Sequence, residues 1–385
     1  MNARTRTLLA AALVLGIAAG PVATTAFAAP STHSATAATQ EYGPDAAALR
    51  KAIAGLPNSD ATAALVRVGG KGSWHGSAGV HDIVTNRKAQ ENARFRAGST
   101  TKVVTSAVVL QLVAEGKLSL DDTVQEYLPD LLSADFQPIT VRQLLTFTSG
   151  LQSGKSFGGS VEEEYPHRFE TLTPEEVVAS SVAKGPYRGE GEGPGKKQRY
   201  ANIDYTVLGM LIEKITGDSY EHQAQVRVFD PVGMRHTSFP GGPDPRIHGP
   251  HNRGYQVMGG KLVDVTEWNM SDRWAAGDMI STTADLEKFL FALFGGEVVP
   301  SAQLEEMFTV PDIDGATMSA GLSRIELSED EVVWAKTGGR PGYNTVIAGT
   351  RDLSRTLVYS VNSTDAKGEA MNPVAERVVR AAFSR

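Results

Sequence analysis

Segments with the composition of β-strands lie near both ends of this 385-residue chain, whereas helical patterns fill its middle. Runs that are rich in β-branched and aromatic residues favour strands. Two such runs come early and four come late: residues 63–68, 74–81, 320–325, 332–335, 344–349 and 355–361. Because strands must pair to satisfy their backbone groups, the pattern predicts one sheet assembled from both ends of the chain, with a helical lobe inserted.

The first 28 residues have the features of a secretory signal peptide. Two arginines precede an apolar run over residues 8–19, and an A-x-A cleavage site ends at Ala28. The arginines are not a twin pair, and the run is too short to be a membrane anchor. We therefore expect secretion by the Sec route with cleavage after Ala28, then a flexible leader over residues 29–40 and a folded domain over 41–385.

The chain contains no cysteine, which excludes thiol nucleophiles, thiolate zinc sites and disulfides. A secreted fold without disulfides needs a large core, and a chain of this length can bury one. The formal net charge is −7. An acidic balance argues against nucleic acid as a partner.

Ser99-Thr100-Thr101-Lys102 opens a strongly helical run that extends to Gly116. Residues three apart lie on one helix face, so the Lys102 amine can reach the Ser99 hydroxyl. A lysine that has lost its proton can serve as the base that activates a serine nucleophile. The helix start adds unpaired N–H groups and a positive dipole end, which favour developing negative charge. The alternative is a serine N-cap followed by an exposed lysine.

Two further patterns contain the residue types that such a serine needs. Tyr200-Ala201-Asn202 follows a glycine-rich loop and precedes an amphipathic helix over residues 203–216, where Asn202 is alternatively a helix N-cap. Lys336-Thr337-Gly338, followed by Gly339, ends an apolar strand and is alternatively a strand-to-turn junction. S-x-x-K, a Tyr/Ser-x-Asn element and K-T-G in this order are the signature of penicillin-interacting serine enzymes.

With these elements the chain resembles the class C β-lactamase and D-alanyl-D-alanine carboxypeptidase group of the penicillin-recognising enzymes, in particular the secreted carboxypeptidases of actinomycetes. Connecting segments carry the resemblance from about Ala46 to the C-terminus; they are residues 95–102, 110–118, 139–145, 148–151, 209–214 and 338–343. It implies an α+β fold: an antiparallel sheet flanked by N- and C-terminal helices, with an inserted all-helical lobe. The α/β lobe would comprise about residues 41–95 and 280–385, and the helical lobe about 96–279, with the site between them.

The resemblance also implies roles for the site residues. Ser99 would be the nucleophile that forms an acyl-ester. Lys102 and Tyr200 are the two candidates for its base, and the sequence leaves that choice undecided because the groups would titrate together. The ammonium groups of Lys102 and Lys336 would lower the pKa of Tyr200.

Binding of the reacting group is implied in the same way. Asn202 would bind Lys102 or the amide of the substrate, and the backbone N–H groups of Ser99 and Gly339 would form the oxyanion hole. The loss of one such donor typically costs roughly 3 kcal/mol of transition-state stabilisation.

A peptide that ends in a free carboxylate needs a cation or hydroxyl groups in the cleft. Lys336 and Thr337 fit this need by motif, although the carboxypeptidases have His-Thr-Gly where this chain has Lys-Thr-Gly. The family places an arginine shortly before this strand. Arg324 is nearest but offset by one position, and Arg340 is the other candidate; each is alternatively a solvated surface arginine.

Two other patterns are weaker. His248 and His251 have no acidic or histidine partner at helical ligand spacing, so a surface loop is favoured over a metal site. Residues 154–158 match G-x-S-x-G, which requires a strand before it and a helix after it. Here the pattern follows a helix end, within a loop rich in glycine and serine.

These observations predict a secreted serine hydrolase that uses an acyl-enzyme and neither metal nor cofactor. The preferred reaction is removal of terminal D-Ala from cell-wall peptides by a penicillin-sensitive D-alanyl-D-alanine carboxypeptidase. A β-lactamase, a D-peptide hydrolase and a carboxyl esterase share this chemistry and are the alternatives. A non-catalytic penicillin-binding sensor is another, which the three intact motifs disfavour. The expected partner is a small peptide or β-lactam, and the protein is expected to be a monomer.

Overall fold

The computed structural model describes residues 43–240, 242–328 and 331–383. The predicted signal peptide, its cleavage site and the leader lie outside the described residues. The strands are β1 Ala61–Gly70, β2 Trp74–Gly79, β3 Phe95–Arg96, β4 Tyr255–Met258, β5 Lys261–Asp264, β6 Ile280–Ser281, β7 Ser323–Ser328, β8 Glu331–Arg340, β9 Tyr343–Thr350 and β10 Arg355–Ser363. The α-helices are α1 Ala46–Ala52, α2 Thr101–Ala114, α3 Val124–Tyr127, α4 Val141–Leu145, α5 Val161–Glu164, α6 Pro174–Ala183, α7 Asn202–Thr216, α8 Tyr220–Ala224, α9 Asp230–Val232, α10 Thr283–Phe294, α11 Ser301–Leu304 and α12 Pro373–Phe383.

Six strands form one sheet in the order β2-β1-β10-β9-β8-β7. Every pairing between neighbours is antiparallel. The N-terminal strands join the C-terminal ones where β1 pairs with β10, with Ala64 opposite Val361. This confirms the predicted α+β fold class, in which both ends of the chain build one antiparallel sheet and helices lie between them.

Helices cover both faces of the sheet. On one face α1 and α12 share a core with the sheet, which includes Leu49, Val361 and Val378. On the other face α10 contacts β1, β9 and β10, and the larger core of the molecule continues through α2 and α7. Since a fully buried aliphatic side chain stabilises a fold by roughly 1.5–3 kcal/mol, these two cores hold the sheet firmly against its helices.

The C-terminal strands differ from their predicted bounds. β8 does not end at Ala335 but extends to Arg340, because the two-residue turn Pro341-Gly342 folds it back onto β9. Gly342 has a φ of 79°, which glycine adopts without strain. β7 is displaced toward the C-terminus and pairs with β8 only from Glu331 to Ala335. The remaining part of β8, Lys336–Arg340, therefore extends past its neighbour toward the helical lobe.

Candidate active site

Ser99 lies in a 3₁₀ turn, Gly98–Thr100, immediately before α2. Gly98 has a φ of 55°, and a β-carbon at this position would lie 2.7 Å from the backbone nitrogen of Gly339. Real β-carbons do not approach another atom so closely, so only glycine lets β8 pack against the turn. This contact brings the N–H of Gly339 beside the Ser99 turn, as an oxyanion hole built from both residues requires.

Lys102 is fully buried one turn after Ser99. Its Nζ lies 2.7 Å from Asn202 Oδ1, 2.7 Å from the carbonyl oxygen of Ala276 and 3.4 Å from Ser99 Oγ. A neutral amine has two hydrogens and one lone pair. Two acceptors at 2.7 Å take the two hydrogens, and the lone pair is then directed at the Ser99 hydroxyl. The arrangement therefore suits a lysine that accepts the serine proton.

The electrostatic surroundings favour this neutral form. Burial, followed by the positive charges of Lys336, Arg273 and Lys367, holds the pKa of Lys102 well below its ordinary value. Both effects disfavour the charged ammonium group. The shift favours the neutral amine, which is the form that a general base needs.

Tyr200 completes the group around Ser99. Its ring centroid is 5.0 Å from Lys102 Nζ and 4.8 Å from Lys336 Nζ. Its hydroxyl is shielded from solvent and meets no partner at full hydrogen-bond geometry. Burial raises the pKa of Tyr200 above its usual range, although Ser99 and Arg273 oppose the shift. The sequence argument expected a lowered pKa, and it was wrong because loss of hydration outweighs the neighbouring positive charges.

Asn202 is the first residue of α7, and the N-cap position is occupied by Ala201, whose side chain makes no capping bond. The alternative interpretation of Asn202 as an N-cap is therefore not what the structure shows. Its amide oxygen instead accepts a hydrogen bond from Lys102. The other acceptor for Lys102, Ala276, ends a 3₁₀ turn at Trp274–Ala276 that no sequence motif marks.

Lys336 and Thr337 lie side by side on the extended part of β8. Lys336 is buried, and its Nζ donates to the carbonyl oxygen of Thr337 at 2.9 Å. Burial lowers the pKa of Lys336 to about 7. The half-buried Thr337 contacts a small separate cavity that Asn344 and Met371 also line. The structure thus directs Lys336, but not Thr337, toward Tyr200.

Substitution of Lys336 by methionine is expected to stabilise the protein more at pH 6 than at pH 9. Between about pH 7 and the ordinary lysine pKa of 10.5 the unfolded chain binds a proton here that the folded protein does not, so stability rises with pH in this window. Below about pH 7 the buried Lys336 is charged in the folded protein, and the free energy of unfolding is reduced by the full cost of burying that charge. Thermal unfolding should show a melting temperature higher by roughly 2–4 °C at pH 6. Equal gains at both pH values, or the same gain in the exposed control Lys261→Met, would contradict the argument.

The structure brings neither candidate arginine to Ser99 with a free guanidinium group. Arg324 is exposed on β7, where it pairs with Glu326. Arg340 is only 2% exposed at the end of β8; its Nη2 lies 3.1 Å from Asp272 Oδ1, and its Nε contacts the sulfur of Met270. A substrate carboxylate would have to displace an existing partner from either side chain.

Sequence reasoning missed three charged residues near the site. Arg273 contacts Asp272 at 3.0 Å and lies close enough to affect Lys102. Asp204 is fully buried two residues after Asn202, where one carboxyl oxygen accepts from Ser149 at 2.6 Å and the other has no partner. Burial raises the pKa of Asp204 well above its ordinary value. Lys367 donates to the carbonyl oxygen of Gly339 at 2.8 Å. Of these three residues, only Asp204 could have been found from the sequence, because it stands two residues after Asn202 of the Tyr-x-Asn element.

The weaker sequence patterns lie apart from this group. His248 pairs at 2.6 Å with Asp244, four residues before it, so the expectation that no acidic partner stands at helical spacing was wrong. His251 contacts the carbonyl oxygen of Gly249. Within residues 43–240, 242–328 and 331–383, no group of three acidic or histidine side chains could hold a metal ion. Residues 154–158 lie in a loop that no strand precedes directly. In the same described ranges, no helix is both long and apolar enough to cross a membrane.

Known proteins resemble this chain in sequence and in fold. The sequence profile of the family described as Beta-lactamase matches residues 49–380. The solved structure of a D-stereospecific amidohydrolase from Streptomyces sp. is 31% identical, covers 89% of this chain and 99% of its own, and superposes with a TM-score of 0.76. The solved structure of the D-amino acid amidase from Ochrobactrum anthropi SV3 is 25% identical, covers 87% of this chain and 97% of its own, and has a TM-score of 0.70.

Among curated relatives, penicillin-binding protein 4* of Bacillus subtilis (strain 168) is 27% identical over 77% of this chain and 67% of its own length. The chain spans only about half the length of other curated relatives that it matches. Since the family profile covers most of the chain, we conclude that this protein belongs to the Beta-lactamase family.

Proposed function

We propose that this protein is a D-stereospecific amide hydrolase that cleaves short peptides and related amides through an acyl-enzyme on Ser99. The observation that carries the proposal is the buried Lys102, whose two hydrogens are taken by Asn202 and Ala276 while its lone pair is directed at Ser99. The preference for a D-residue is supported by the names of two structural neighbours, a D-stereospecific amidohydrolase and a D-amino acid amidase.

The reaction follows from these positions. Ser99 Oγ attacks the carbonyl carbon as its proton passes to Lys102, and the backbone N–H groups of Ser99 and Gly339 stabilise the oxyanion. Tyr200 is a neutral phenol, so it can give its proton to the departing nitrogen and recover one from the Lys102 ammonium group. The C–N bond breaks and leaves an ester. A water molecule, deprotonated by the same groups, then attacks the ester and restores Ser99.

Removal of a terminal D-Ala, as a D-alanyl-D-alanine carboxypeptidase does, is the second candidate. The observation that favours it is Lys336, which lies beside Tyr200 and in its protonated form would bind the carboxylate of the leaving residue. The pairing of Arg324 with Glu326 and of Arg340 with Asp272 weighs against it. In either case we propose that the enzyme is exported and acts outside the cell as a monomer.

The decisive experiment compares kcat/KM for the two enantiomers of an N-acetyl-phenylalanine anilide, a peptide that ends in D-Ala-D-Ala, nitrocefin and a short-chain ester. We expect the D-anilide to be cleaved at least about 100-fold faster than the L-anilide, a difference that misplacement of the scissile carbonyl readily produces. Equal rates for the two enantiomers would refute the stereospecific proposal. Turnover of the D-Ala-D-Ala peptide far above the D-anilide would establish the carboxypeptidase instead.

A further inference from the structure

Both backbone polar groups of Gly339 point away from β9, toward the outer edge of β8. Arg340 and Tyr343 flank a two-residue turn and lie opposite each other, which makes them a hydrogen-bonded pair in an antiparallel hairpin. The next pair, Gly339 and Asn344, is then a non-hydrogen-bonded pair, so the N–H and C=O of Gly339 point away from β9. On the other side of β8, β7 pairs only as far as Ala335. No described strand therefore pairs with the outer edge of β8 beyond this residue.

The carbonyl oxygen of Gly339 is therefore an acceptor that β9 does not use, next to the proposed oxyanion hole. If a substrate lies along the edge of β8 with its scissile carbonyl in the oxyanion hole, the substituent on its acyl carbon would lie next to the carbonyl oxygen of Gly339. Lys367 already occupies this acceptor, because its Nζ donates to the Gly339 carbonyl at 2.8 Å.

The loop that carries Lys367 is anchored in place. Asn344 Nδ2 donates to the carbonyl oxygen of Ala366 at 3.0 Å, and the N–H of Ala366 donates to Gln256 at 3.3 Å. Asn344 is also the residue that faces Gly339 across the hairpin. The β8-β9 hairpin that holds the acceptor thus positions the lysine as well.

Lys367 is an unmatched cation at this point when it is protonated; burial and the guanidinium groups of Arg340 and Arg273 lower its pKa to about 7, so its positive charge is fully present only below that pH. Two carboxylates match the two nearby guanidinium groups. Asp272 lies 3.0 Å from Arg273 and 3.1 Å from Arg340, and Glu164 lies 3.7 Å from Arg273. In the described part of the chain no carboxylate lies within ion-pair distance of Lys367. A positively charged group brought to the Gly339 carbonyl would meet the ammonium group of Lys367 without a compensating anion.

We infer that Lys367 is a specificity-determining residue that selects substrates with a carboxylate on the acyl side of the scissile bond and rejects those with a free α-ammonium group. The inference rests on the proposed acyl-enzyme chemistry at Ser99 and adds the chemical class of the acyl group. Free D-amino acid amides are accordingly poor substrates, whereas N-carboxyacyl D-aminoacyl amides are good ones.

Three penicillins test this directly, because they share one reacting ring and differ in one substituent. Carbenicillin carries a carboxylate on the acyl side chain, benzylpenicillin a hydrogen, and ampicillin an ammonium group. The rate of Ser99 acylation by each is measured by intact-mass spectrometry at pH 6, where Lys367 is mostly protonated, and in low salt, since salt screens exposed charges. The same comparison is made by turnover of N-succinyl-D-Phe, N-acetyl-D-Phe and D-Phe anilides.

We expect the wild-type protein to be acylated at least about tenfold faster by carbenicillin than by ampicillin, a ratio that corresponds to roughly 1.4 kcal/mol. Lys367→Met should bring that ratio close to one, and Lys367→Glu should reverse it. The matched control is Lys288→Met, which removes an exposed lysine that donates to the carbonyl of Gly233 at 3.0 Å in another part of the fold. Its ratio should equal that of the wild type.

The outcomes separate the two proposals. A carbenicillin to ampicillin ratio that is unchanged in both Lys367 variants, while acylation persists, overturns the role of Lys367 and leaves the hydrolase intact. A ratio that follows the charge at position 367 while no anilide is turned over supports Lys367 and refutes the amide hydrolase. Absence of both acylation and turnover in the wild type refutes both.

Discussion

Ser99→Ala is expected to lower kcat/KM for amide, ester and β-lactam substrates alike by roughly 10⁴-fold or more, as for other serine enzymes that lose their nucleophile. The Ser99 hydroxyl lies 3.4 Å from Lys102 Nζ, in a turn that packs against the backbone of Gly339. Steady-state kinetics on the D-anilide and intact-mass spectrometry after exposure to benzylpenicillin measure the loss of turnover and of the covalent adduct.

Ser156→Ala is the matched control for this result. Ser156 is the serine of the G-x-S-x-G pattern, and it lies in an exposed loop where its hydroxyl donates to the carbonyl of Gly158. Its replacement should leave both turnover and adduct formation unchanged. If Ser99→Ala retained activity and Ser156→Ala lost it, the nucleophile assigned from S-x-x-K would be wrong.

Lys102→Met is expected to slow acylation by roughly 10³-fold, within the range that one general base contributes. Methionine has similar length but cannot accept the Ser99 proton. Wild-type acylation should rise with pH as Lys102 loses its proton, and the depressed pKa places this rise well below the ordinary lysine range. Acylation by the variant should lose this dependence. Single-turnover rates from pH 4 to pH 9 measure both effects.

Two controls accompany this experiment: one tests whether the Lys102→Met protein is folded, and the other tests whether Tyr200 is the base instead. Lys102→Met leaves the buried acceptors on Asn202 and Ala276 without a donor, each at a cost of about 1–3 kcal/mol, but it also removes a poorly hydrated amine. Thermal unfolding and circular dichroism must therefore show a folded protein. If Lys102→Met were acylated at the normal rate while Tyr200→Phe was not, the tyrosine would be the base.

The order of strands and helices was predictable because local composition reports it. Apolar β-branched runs at residues 63–68 and 355–361 can satisfy their backbone groups only by pairing, and β1 and β10 do pair. The bounds of β8 were not predictable, since its last five residues are polar or glycine and extend only because a turn folds them onto β9.

The protonation states of the site residues were harder to predict than which residues form the site. Spacing along α2 was enough to place Lys102 one turn from Ser99, because helix geometry is local. The pKa of Tyr200 moves in the direction opposite to expectation, because it depends on how completely three separate segments exclude water from one hydroxyl. Lys367 could not be found at all, since its contact with Gly339 joins residues 28 positions apart that share no motif.

The sequence by itself determined the chemistry: a serine, an amine one helical turn away, a tyrosine and a strand with K-T-G define acyl transfer through residue types and short spacings. Only the tertiary structure decided which groups are charged and which acceptors are open, because both depend on burial and on contacts between distant segments. Those two properties are the reason why we propose Lys102 as the base, Tyr200 as a neutral acid and Lys367 as the cation beside the acyl group.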